Sequence, residues 1–425
     1  MNSQTFSLIS LGCPKNLVDS EQYVFALKQS GLDFQTEIEH SGLVVLNTCG
    51  FLQSARNEAR EYIRALIDLK KQNIIGRIAV RGCLPAFESI ETLTEEFPEV
   101  DEWYGVPNVT EQSAPRHILT ERHVAYLRIA DGCNRRCTFC AIPKIRGNFQ
   151  SVPEEIVIEE AKRLADAGVK ELIVIAQETT FWGSDLYGFP RLASLLQQLE
   201  SIEGLRWIRL MYTYPQYFED ALIDLFAAGG KLLPYIDIPL QHANDVILKK
   251  MNRQITKLET ERLLEKLRTR IDNLVLRTSF IVGFPGETDA MFRELMQFAE
   301  QWKFERAGVF RFSAEEGTAA AGFTSPIPAP TIDRRFEQLH KVCEKYSVAW
   351  ASRQKGKMID VQIDGNYTDE FGRKEPQLFI GRTFADAPDI DPVVYVTGQE
   401  LTPGALIECE ILEVNNNDLV AVAES

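Results

Sequence analysis

The chain of 425 residues contains no uninterrupted run of about eighteen apolar residues, the length that a membrane-spanning helix requires. Its first residues, MNSQTFSLISLGC, lack the basic region and apolar core of a secretion signal. Low-complexity segments and short internal repeats are missing as well. These absences predict a cytoplasmic protein without a membrane partner.

Basic residues are few beside acidic ones, with 46 Lys and Arg against 61 Asp and Glu, a net charge of −15 and a pI near 5.0. An acidic field repels bulk nucleic acid and favours basic partners. Eight cysteines are too few for a disulfide scaffold in a chain of this length. In a cytosolic chain, clustered cysteines more often bind metal or carry out chemistry.

The length suggests about three domains, and the pattern of strands and helices divides the chain in that way. In the first predicted domain, residues 3–118, three apolar strands alternate with helices, which predicts a doubly wound parallel sheet. The strands are predicted at Phe6–Ser10, Leu43–Leu46 and Ile78–Val80, and the helices at Leu17–Gln29, Ser54–Lys71 and Ala86–Glu96.

The second predicted domain, residues 119–351, repeats the strand–helix unit six times. Six consecutive units of this kind predict an incomplete, partial (β/α)6 version of the eight-fold barrel. The predicted strands are Val124–Ala130, Glu171–Ala176, Arg206–Met211, Tyr235–Leu240, Val275–Val282 and Gly308–Phe312, and the helices include Pro153–Ala167, Phe218–Ala227, Asp289–Trp302 and Ile332–Arg353.

The third predicted domain, residues 352–425, changes to short β runs separated by Gly, Asp and Asn turns. This pattern predicts a small antiparallel β-barrel. Its strands are predicted at Met358–Ile363, Gln377–Gly381, Val393–Val396, Ala405–Leu412 and Leu419–Val422.

Three cysteines, Cys133, Cys137 and Cys140, are spaced C-x3-C-x2-C directly after the first predicted barrel strand. That position is the rim at which barrel enzymes carry their chemistry. Thiolates at such short spacing hold iron–sulfur clusters or zinc. Because no fourth ligand lies nearby, the pattern favours a four-iron cluster with one open iron over a zinc site.

A second group, Cys13, Cys49 and Cys83, is scattered in sequence, but each member follows an apolar strand of the first domain. Parallel strands bring their carboxyl ends to one edge of the sheet, so these three thiols are expected to converge. The alternative is that they are buried structural cysteines, which are common. The remaining two, Cys343 and Cys409, are interpreted as small buried hydrophobic residues.

These features resemble the radical S-adenosylmethionine superfamily, in which an aromatic residue such as Phe139 precedes the last cysteine of the loop. Three further N-terminal cysteines and a terminal β domain resemble the methylthiotransferases, whose β domain is called TRAM. Several strings are similar to the RimO family and less so to its transfer-RNA relative MiaB: SLGCPKNLVDSE (Ser10–Glu21), LPYIDIPLQH (Leu233–His242), RTSFIVGFPGET (Arg277–Thr288), RFSAEEGT (Arg311–Thr318) and, most discriminating, GRTFADAPDID (Gly381–Asp391).

The resemblance implies two [4Fe–4S] clusters, one on each cysteine group, together with S-adenosylmethionine and a low-potential electron donor. It further implies that a 5′-deoxyadenosyl radical takes hydrogen from the β-carbon of an aspartate in small-subunit ribosomal protein twelve, which then receives a methylthio group. From Ser352 onward the chain has six Lys or Arg and fourteen Asp or Glu. Such an acidic tail suits a basic ribosomal protein better than a phosphate backbone.

Five residues are candidates for contact with S-adenosylmethionine. Phe139 could stack near the adenine or pack in the core, and Gln177 and Glu178 end a barrel strand where polar groups could hold methionine or ribose. Ile281 and Gly283 end another strand, where glycine lets the backbone approach a ligand. Arg146 could pair with a carboxylate near the cluster or form a surface ion pair.

Two other functions remain open on the sequence alone. A transfer-RNA adenosine methylthiotransferase resembling MiaB would carry the same clusters, although a basic tail would be expected of it. A non-catalytic iron–sulfur or zinc protein that binds nucleic acid would have no need of six strand–helix units with cysteines at their rim.

Overall fold

The computed structural model describes residues 2–107, 115–369 and 371–424, which form two parallel sheets and a closed barrel. Residues 108–114, near the end of the first predicted domain, lie outside the described part. Within the described part, no helix combines the length and the apolar character needed to cross a membrane.

The N-terminal sheet has five strands in the order β2-β1-β3-β4-β5, and every neighbouring pair is parallel. Helix α2 packs on it through Ala59, Ile63 and Leu66, which recur at the spacing of one helical face. The elements are β1 (Asn2–Ser10), α1 (Pro14–Gln29), β2 (Asp33–Phe34), β3 (Ser41–Thr48), α2 (Gln53–Lys71), β4 (Arg77–Gly82), α3 (Cys83–Phe87), α4 (Ile90–Glu96) and β5 (Glu102–Tyr104).

The prediction of one helix at Ala86–Glu96 is wrong, because the structure has two short helices in this region, α3 and α4. Glu88 adopts an extended conformation, and the Ser89 side chain accepts a hydrogen bond from the Thr92 amide at 3.2 Å. A serine that caps a helix in this way starts a new helix at the next residue.

The central region forms a six-stranded sheet in the order β13-β12-β11-β10-β9-β6, again with parallel pairs. The first predicted strand ends earlier than expected, because residues 130–131 leave the sheet and pair with β8. The elements are β6 (Val124–Arg128), β7 (Ala130–Asp131), α5 (Ile142–Arg146), β8 (Gln150–Ser151), α6 (Glu154–Asp166), β9 (Glu171–Ile175), α7 (Ser184–Tyr187), α8 (Leu192–Glu200), β10 (Trp207–Leu210), α9 (Asp220–Ala227), β11 (Leu232–Asp237), α10 (Asp245–Lys250), α11 (Lys257–Arg270), β12 (Val275–Val282), α12 (Asp289–Trp302), β13 (Arg306–Arg311) and α13 (Ala329–Ser352).

The C-terminal strands close into a five-stranded barrel in the order β14-β15-β16-β18-β17. The expectation of a purely antiparallel barrel is wrong, since β16 and β18 run parallel. A ring with an odd number of strands cannot alternate direction all the way round, so closure with five strands requires at least one parallel pair. The strands are β14 (Met358–Thr368), β15 (Lys374–Arg382), β16 (Val394–Thr397), β17 (Leu406–Asn415) and β18 (Asp418–Ala423).

The C-terminal barrel packs against the six-stranded sheet. Successive residues of a strand point to opposite faces. Leu172 and Val174 of β9 accordingly join the core formed with the surrounding helices, whereas Ile173 and Ile175 join a second core that contains Val361 and other barrel residues. Cys343 and Cys409 lie buried in these two cores, as expected.

Buried ion pairs reinforce this contact. Glu171 is fully buried and binds Arg209 at 2.8 Å and Arg382 of β15 at 2.6 Å. Burial alone would raise the pKa of Glu171, but Arg382 and Arg209 outweigh it and hold the pKa below its ordinary value. The Glu171 carboxylate is therefore charged at neutral pH, and it is paired with one arginine of the central domain and one of the C-terminal barrel.

Acid is expected to weaken this attachment. A carboxyl group whose pKa is lower in the folded than in the unfolded chain stabilises the fold fully above its unfolded pKa, and that contribution disappears as the pH falls through the folded value. The melting temperature is therefore expected to fall between about pH 5 and pH 3, and Glu171→Gln should make that fall shallower. Differential scanning calorimetry across this range checks the slope, and an equally steep fall in the variant would contradict the assignment.

Candidate functional site

All six cysteines of the two predicted groups line one cavity of about 380 Å3 at the carboxyl ends of the strands. Cys13, Cys49 and Cys83 reach it from the N-terminal domain, and Cys133, Cys137 and Cys140 reach it from the loop after β7. The expected convergence of the three N-terminal cysteines on one site is therefore confirmed. The structure adds that the two groups face a common space.

The N-terminal triad (Cys13, Cys49 and Cys83) is held together by Asn16, which is completely buried. Its Nδ2 donates to the carbonyl of Leu11 at 3.1 Å and to that of Thr48 at 2.8 Å, and so joins the loops that carry Cys13 and Cys49. The thiol of Cys83 donates to its Oδ1 at 3.3 Å. Asn16 is thus a positioning residue that contacts all three loops.

Close backbone approach also brings these loops together. Gly12 has a φ of +99°, and a Cβ added there would lie 3.0 Å from the Cβ of Cys49. Gly82, just before Cys83, has a φ of +96°, and an added Cβ would lie 2.3 Å from Oδ1 of Asn47. Only glycine fits such positions without strain, so these residues permit the turns that aim the cysteines.

The central-domain triad (Cys133, Cys137 and Cys140) occupies one tight loop. The amide of Cys140 donates to the carbonyl of Cys137 at 3.1 Å, and the amide of Cys133 donates to that of Gly147 at 3.2 Å. The amide of Arg135 donates to Sγ of Cys133 at 3.4 Å. Backbone donors directed at cysteine sulfur are typical of the surroundings of a metal-bound thiolate.

Burial raises the pKa of three thiols in the protein without metal, to about 12 for Cys83, about 11 for Cys133 and about 12 for Cys140. Metal binds the thiolate, so loading the site releases these protons. Ionising these buried thiols is therefore costly until a metal ion is bound.

The spacing of the thiols bears on the kind of metal centre. Across the described residues, no three His, Cys, Asp or Glu side chains lie close enough together to hold a single metal ion. A zinc site gathers its ligands around one ion, with Zn–S distances of about 2.3 Å. In a four-iron cluster each thiolate binds a different iron, so the sulfurs lie further apart. Neither triad therefore forms a single-ion site in the described part of the chain.

A buried polar network joins the two domains beneath the cavity. Arg146 donates to Asp131 at 2.8 Å, to Asp19 of α1 at 2.8 Å and to Asn16 at 2.7 Å. Arg128 also donates to Asp19. Burial alone would lower the pKa of Arg146, but the two carboxylates outweigh it and keep the guanidinium charged. Of the two alternatives for Arg146, a carboxylate partner by the cysteine loop or a surface ion pair, the structure shows a buried pairing with Asp19 and Asp131 beside the cysteine cavity.

Three of the five residues predicted to contact S-adenosylmethionine line the cavity: Phe139, Gln177 and Glu178. Gln177 donates to Asp131 at 2.6 Å, and its buried Oε1 has no partner among the described residues. Glu178 accepts hydrogen bonds from Arg135, one of them at 2.8 Å. Phe139 also packs beside the apolar cluster of Ile247 and Met251, which supports the core-packing interpretation of this ring, and its stacking near the adenine stays a prediction.

Ile281 and Gly283 are not among the residues that line this cavity. A Cβ added at Gly283 would lie 2.6 Å from Cγ1 of Ile332 in α13. The space beside this glycine is therefore filled by a helix of the same chain, which the pattern GFPGET did not reveal.

Several cavity residues were missed by the sequence analysis, among them Lys15, Tyr212, Gln241 and Arg253. Lys15 could have been found from its position two residues after Cys13. Tyr212 and Gln241 could have been found because each directly follows a predicted strand of the central domain. Both Tyr212 (φ 59°) and Gln241 (φ 66°) adopt a left-handed conformation that is uncommon for such side chains. Strained residues of this kind cluster at functional sites.

The chain matches three known families in succession. Residues 5–105 match the uncharacterized protein family UPF0004, residues 127–299 match the radical SAM superfamily, and residues 355–423 match the TRAM domain. Three curated relatives share the name ribosomal protein uS12 methylthiotransferase RimO. They come from Desulforamulus reducens (39% identical, covering 98% of this chain and 98% of the relative), Aquifex aeolicus (40%, 97% and 95%) and Pelotomaculum thermopropionicum (41%, 93% and 94%).

Two solved structures share the fold. The radical S-adenosylmethionine methyltransferase TsrM from Kitasatospora setae, with cobalamin and a [4Fe-4S] cluster bound, superposes with a TM-score of 0.52 at 16% identity over 72% of this chain and 75% of that chain. The cobalamin-dependent S-adenosylmethionine radical enzyme OxsB gives 0.52 at 14% identity over 80% and 56%. At these identities the likeness concerns the α/β fold with its parallel sheets.

Proposed function

The chain belongs to the RimO family of ribosomal protein uS12 methylthiotransferases, and on that premise we propose that it attaches a methylthio group to the β-carbon of an aspartate in uS12. It is a radical S-adenosylmethionine methylthiotransferase that uses S-adenosylmethionine and [4Fe–4S] clusters. The observation that carries the methylthiolation is the meeting of two cysteine triads in one cavity, and the choice of uS12 rests on the full-length RimO relatives. Methylthiolation needs a hydrogen-abstracting centre and a sulfur-delivering centre within reach of one carbon.

We assign one cluster to each triad. Cys133, Cys137 and Cys140 would hold the cluster that binds S-adenosylmethionine, and Cys13, Cys49 and Cys83 would hold the second. When bound, these cofactors supply a 5′-deoxyadenosyl radical and a methylthio group. Gln177 and Glu178 are proposed to hold the methionine or ribose part of S-adenosylmethionine and Phe139 its adenine. Ile281 and Gly283, which do not line the cavity, remain proposed contacts at the end of β12.

The protein's own part in this reaction is to exclude water and to align atoms. Phe51, Ile142, Ile145 and Pro239 give the cavity apolar walls, which would protect a reactive carbon from solvent. The Arg146 network keeps the two triads at a fixed separation. A shift of one triad against the other would lengthen the path between the radical and the sulfur.

An acidic surface supports the protein substrate. Asp360 of β14 and Glu408 of β17 lie directly opposite each other across the strand pair, and both are exposed, as is the neighbouring Glu410. Like charges in this position are unfavourable, but a basic protein docked there would compensate them. We propose that this face of the barrel receives uS12 and that nucleic acid is not the substrate.

The remaining details are also proposals. We place the domain limits at residues 3–118, 119–351 and 352–425, and the three matched families fall inside those limits. The N-terminal sheet would be doubly wound and the six-stranded sheet would curve as an incomplete barrel, which agrees with a cavity at its carboxyl edge. A low-potential reductant and a cytoplasmic location complete the proposal.

A side-by-side substrate assay tests this function. The protein is reconstituted with iron and sulfide without oxygen, given reductant and S-adenosylmethionine, and offered a uS12 peptide centred on the target aspartate and a transfer-RNA anticodon stem-loop. Mass spectrometry should find a methylthio gain on the peptide alone. A gain on the RNA would establish the MiaB-like alternative, and the absence of 5′-deoxyadenosine would contradict the radical reaction.

A further inference from the structure

One cation in the cavity, the Lys15 ammonium, has no carboxylate partner among the described residues. Lys15 lies in the first turn of α1, its residue is 7% exposed, and it lines the cavity beside Cys13. Among the described residues, no carboxylate oxygen comes within 4.0 Å of its Nζ. Lysines this deeply buried are almost always paired. An unpaired ammonium at the wall of a cavity is therefore available to an anion that enters the cavity.

The other cations of the cavity are already engaged. Arg135 is bound to Glu178 at 2.8 Å, and Arg146 lies between Asp19 and Asp131. Arg253 donates to the carbonyl of Pro239 at 2.7 Å and lies 3.9 Å from Sγ of Cys137, beside the central-domain triad. Among the described cations that line the cavity, Lys15 is therefore the one without a carboxylate or carbonyl partner, and it lies on the side of the N-terminal triad.

Tyr212 holds the Lys15 ammonium in place. Nζ lies 3.1 Å from the centre of the Tyr212 ring, a cation–π contact. The Tyr212 amide donates to Asp237 at 2.9 Å, and Asp237 in turn binds Arg277 at 2.9 Å. These contacts hold the backbone of Tyr212 in its left-handed conformation. A face-on ring leaves the donors of the ammonium free to bind an oxygen anion.

We propose that Lys15 binds the side-chain carboxylate of the substrate aspartate and so selects aspartate at this site. This inference rests on the proposed function, in which the reacting β-carbon is bonded directly to that carboxylate. An ammonium that holds the carboxylate therefore fixes the β-carbon between the two triads. Charge-assisted hydrogen bonds of this kind are stronger and shorter than neutral ones.

The test compares two peptides and three variants. The peptides are the uS12 sequence around the target aspartate and the same sequence with asparagine there. Dissociation constants are measured without oxygen by fluorescence anisotropy, with reconstituted protein and S-adenosylmethionine but no reductant. The variants are Lys15→Met, Lys15→Arg and, as a matched control on the same helix, the exposed Lys28→Met.

The wild-type protein and the Lys28→Met control should prefer the aspartate peptide on the order of tenfold to a hundredfold, the range expected for a hydrogen bond to a charged group. Lys15→Met should bind both peptides equally and weakly, and Lys15→Arg should recover part of the preference. Iron and sulfide content equal to wild type shows that each variant is folded and loaded. A purely structural lysine would change both affinities together and leave their ratio intact.

The outcomes separate this inference from the function on which it rests. If the wild-type protein modifies the aspartate peptide while Lys15→Met keeps the aspartate preference, the role of Lys15 is wrong and the function stands. If Lys15→Met keeps the preference but loses affinity for S-adenosylmethionine, the lysine serves the cofactor, which also contradicts the inference. If the wild-type protein modifies only RNA, both fail.

Discussion

Replacing Cys13 with alanine should abolish methylthio transfer to the uS12 peptide while 5′-deoxyadenosine continues to form. Cys13 belongs to the N-terminal triad, whereas the proposed S-adenosylmethionine site is built from the loop that carries Cys133, Cys137 and Cys140. Loss of one thiolate should empty the N-terminal site, so reconstituted iron should fall from about eight to about four atoms per chain. Iron analysis and mass spectrometry of peptide and nucleoside measure both effects.

Two further variants provide controls for Cys13→Ala. Cys343→Ala removes a thiol that is buried in the core of the central domain and does not line the cavity, so iron content and transfer should match wild type. Cys137→Ala should stop both 5′-deoxyadenosine formation and transfer. If Cys13→Ala still transferred the methylthio group, the N-terminal triad would not be the sulfur-delivering centre.

Replacing Glu171 with alanine should destabilise the protein by about 3–5 kcal/mol, the cost of leaving a buried charge without its partner. Glu171 neutralises both Arg209 and Arg382 in the contact between the six-stranded sheet and the C-terminal barrel. Its removal leaves the buried Arg209 without a carboxylate partner among the described residues, whereas Arg382 keeps Asp364 at 2.8 Å. Urea unfolding followed by circular dichroism and by tryptophan fluorescence gives the change in unfolding free energy.

A surface pair supplies the matched control. Glu159 and Arg163 pair at 2.8 Å on the exposed face of α6, and Glu159→Ala should cost no more than about 0.5 kcal/mol. If Glu171→Ala were as mild as this control, the buried network would not be what attaches the C-terminal barrel.

The string GRTFADAPDID shows what a family resemblance can and cannot reveal. It indicated the family correctly, but the structure places three of its four charged residues in the contact between domains. Arg382 binds Glu171, Asp386 binds Arg306, and Asp391 accepts a hydrogen bond from the Tyr235 hydroxyl at 2.6 Å. This segment therefore fastens the C-terminal barrel to the sheet. No local pattern in the sequence identifies such partners, because they lie about 80 to 211 residues apart.

The cysteine site could be predicted because its geometry follows from strand direction. Three thiols placed after three parallel strands must meet at one edge, whatever the intervening helices do. The two triads face each other because of the way in which the N-terminal and central domains pack. This packing depends on contacts such as the 3.0 Å ion pair of Arg56 and Glu315. Neither periodicity nor motif spacing encodes a contact across 259 residues.

The role of Lys15 and the surroundings of Gly283, which the sequence analysis did not reveal, have the same origin. Lys15 is distinctive only because Tyr212 lies under it and no carboxylate of the described residues reaches it. Gly283 is predicted to let a ligand approach, and Ile332 from α13 lies on the side to which its Cβ would point. In both cases the deciding neighbour comes from a distant part of the chain.

The most direct test of the reaction assigned to the shared cavity follows the fate of one hydrogen atom. A uS12 peptide whose target aspartate carries deuterium on the β-carbon is incubated without oxygen with reconstituted protein, reductant and S-adenosylmethionine, and the mass of the 5′-deoxyadenosine is measured. The account predicts that this nucleoside gains one deuterium as the peptide gains a methylthio group. A modified peptide accompanied by unlabelled 5′-deoxyadenosine would contradict it.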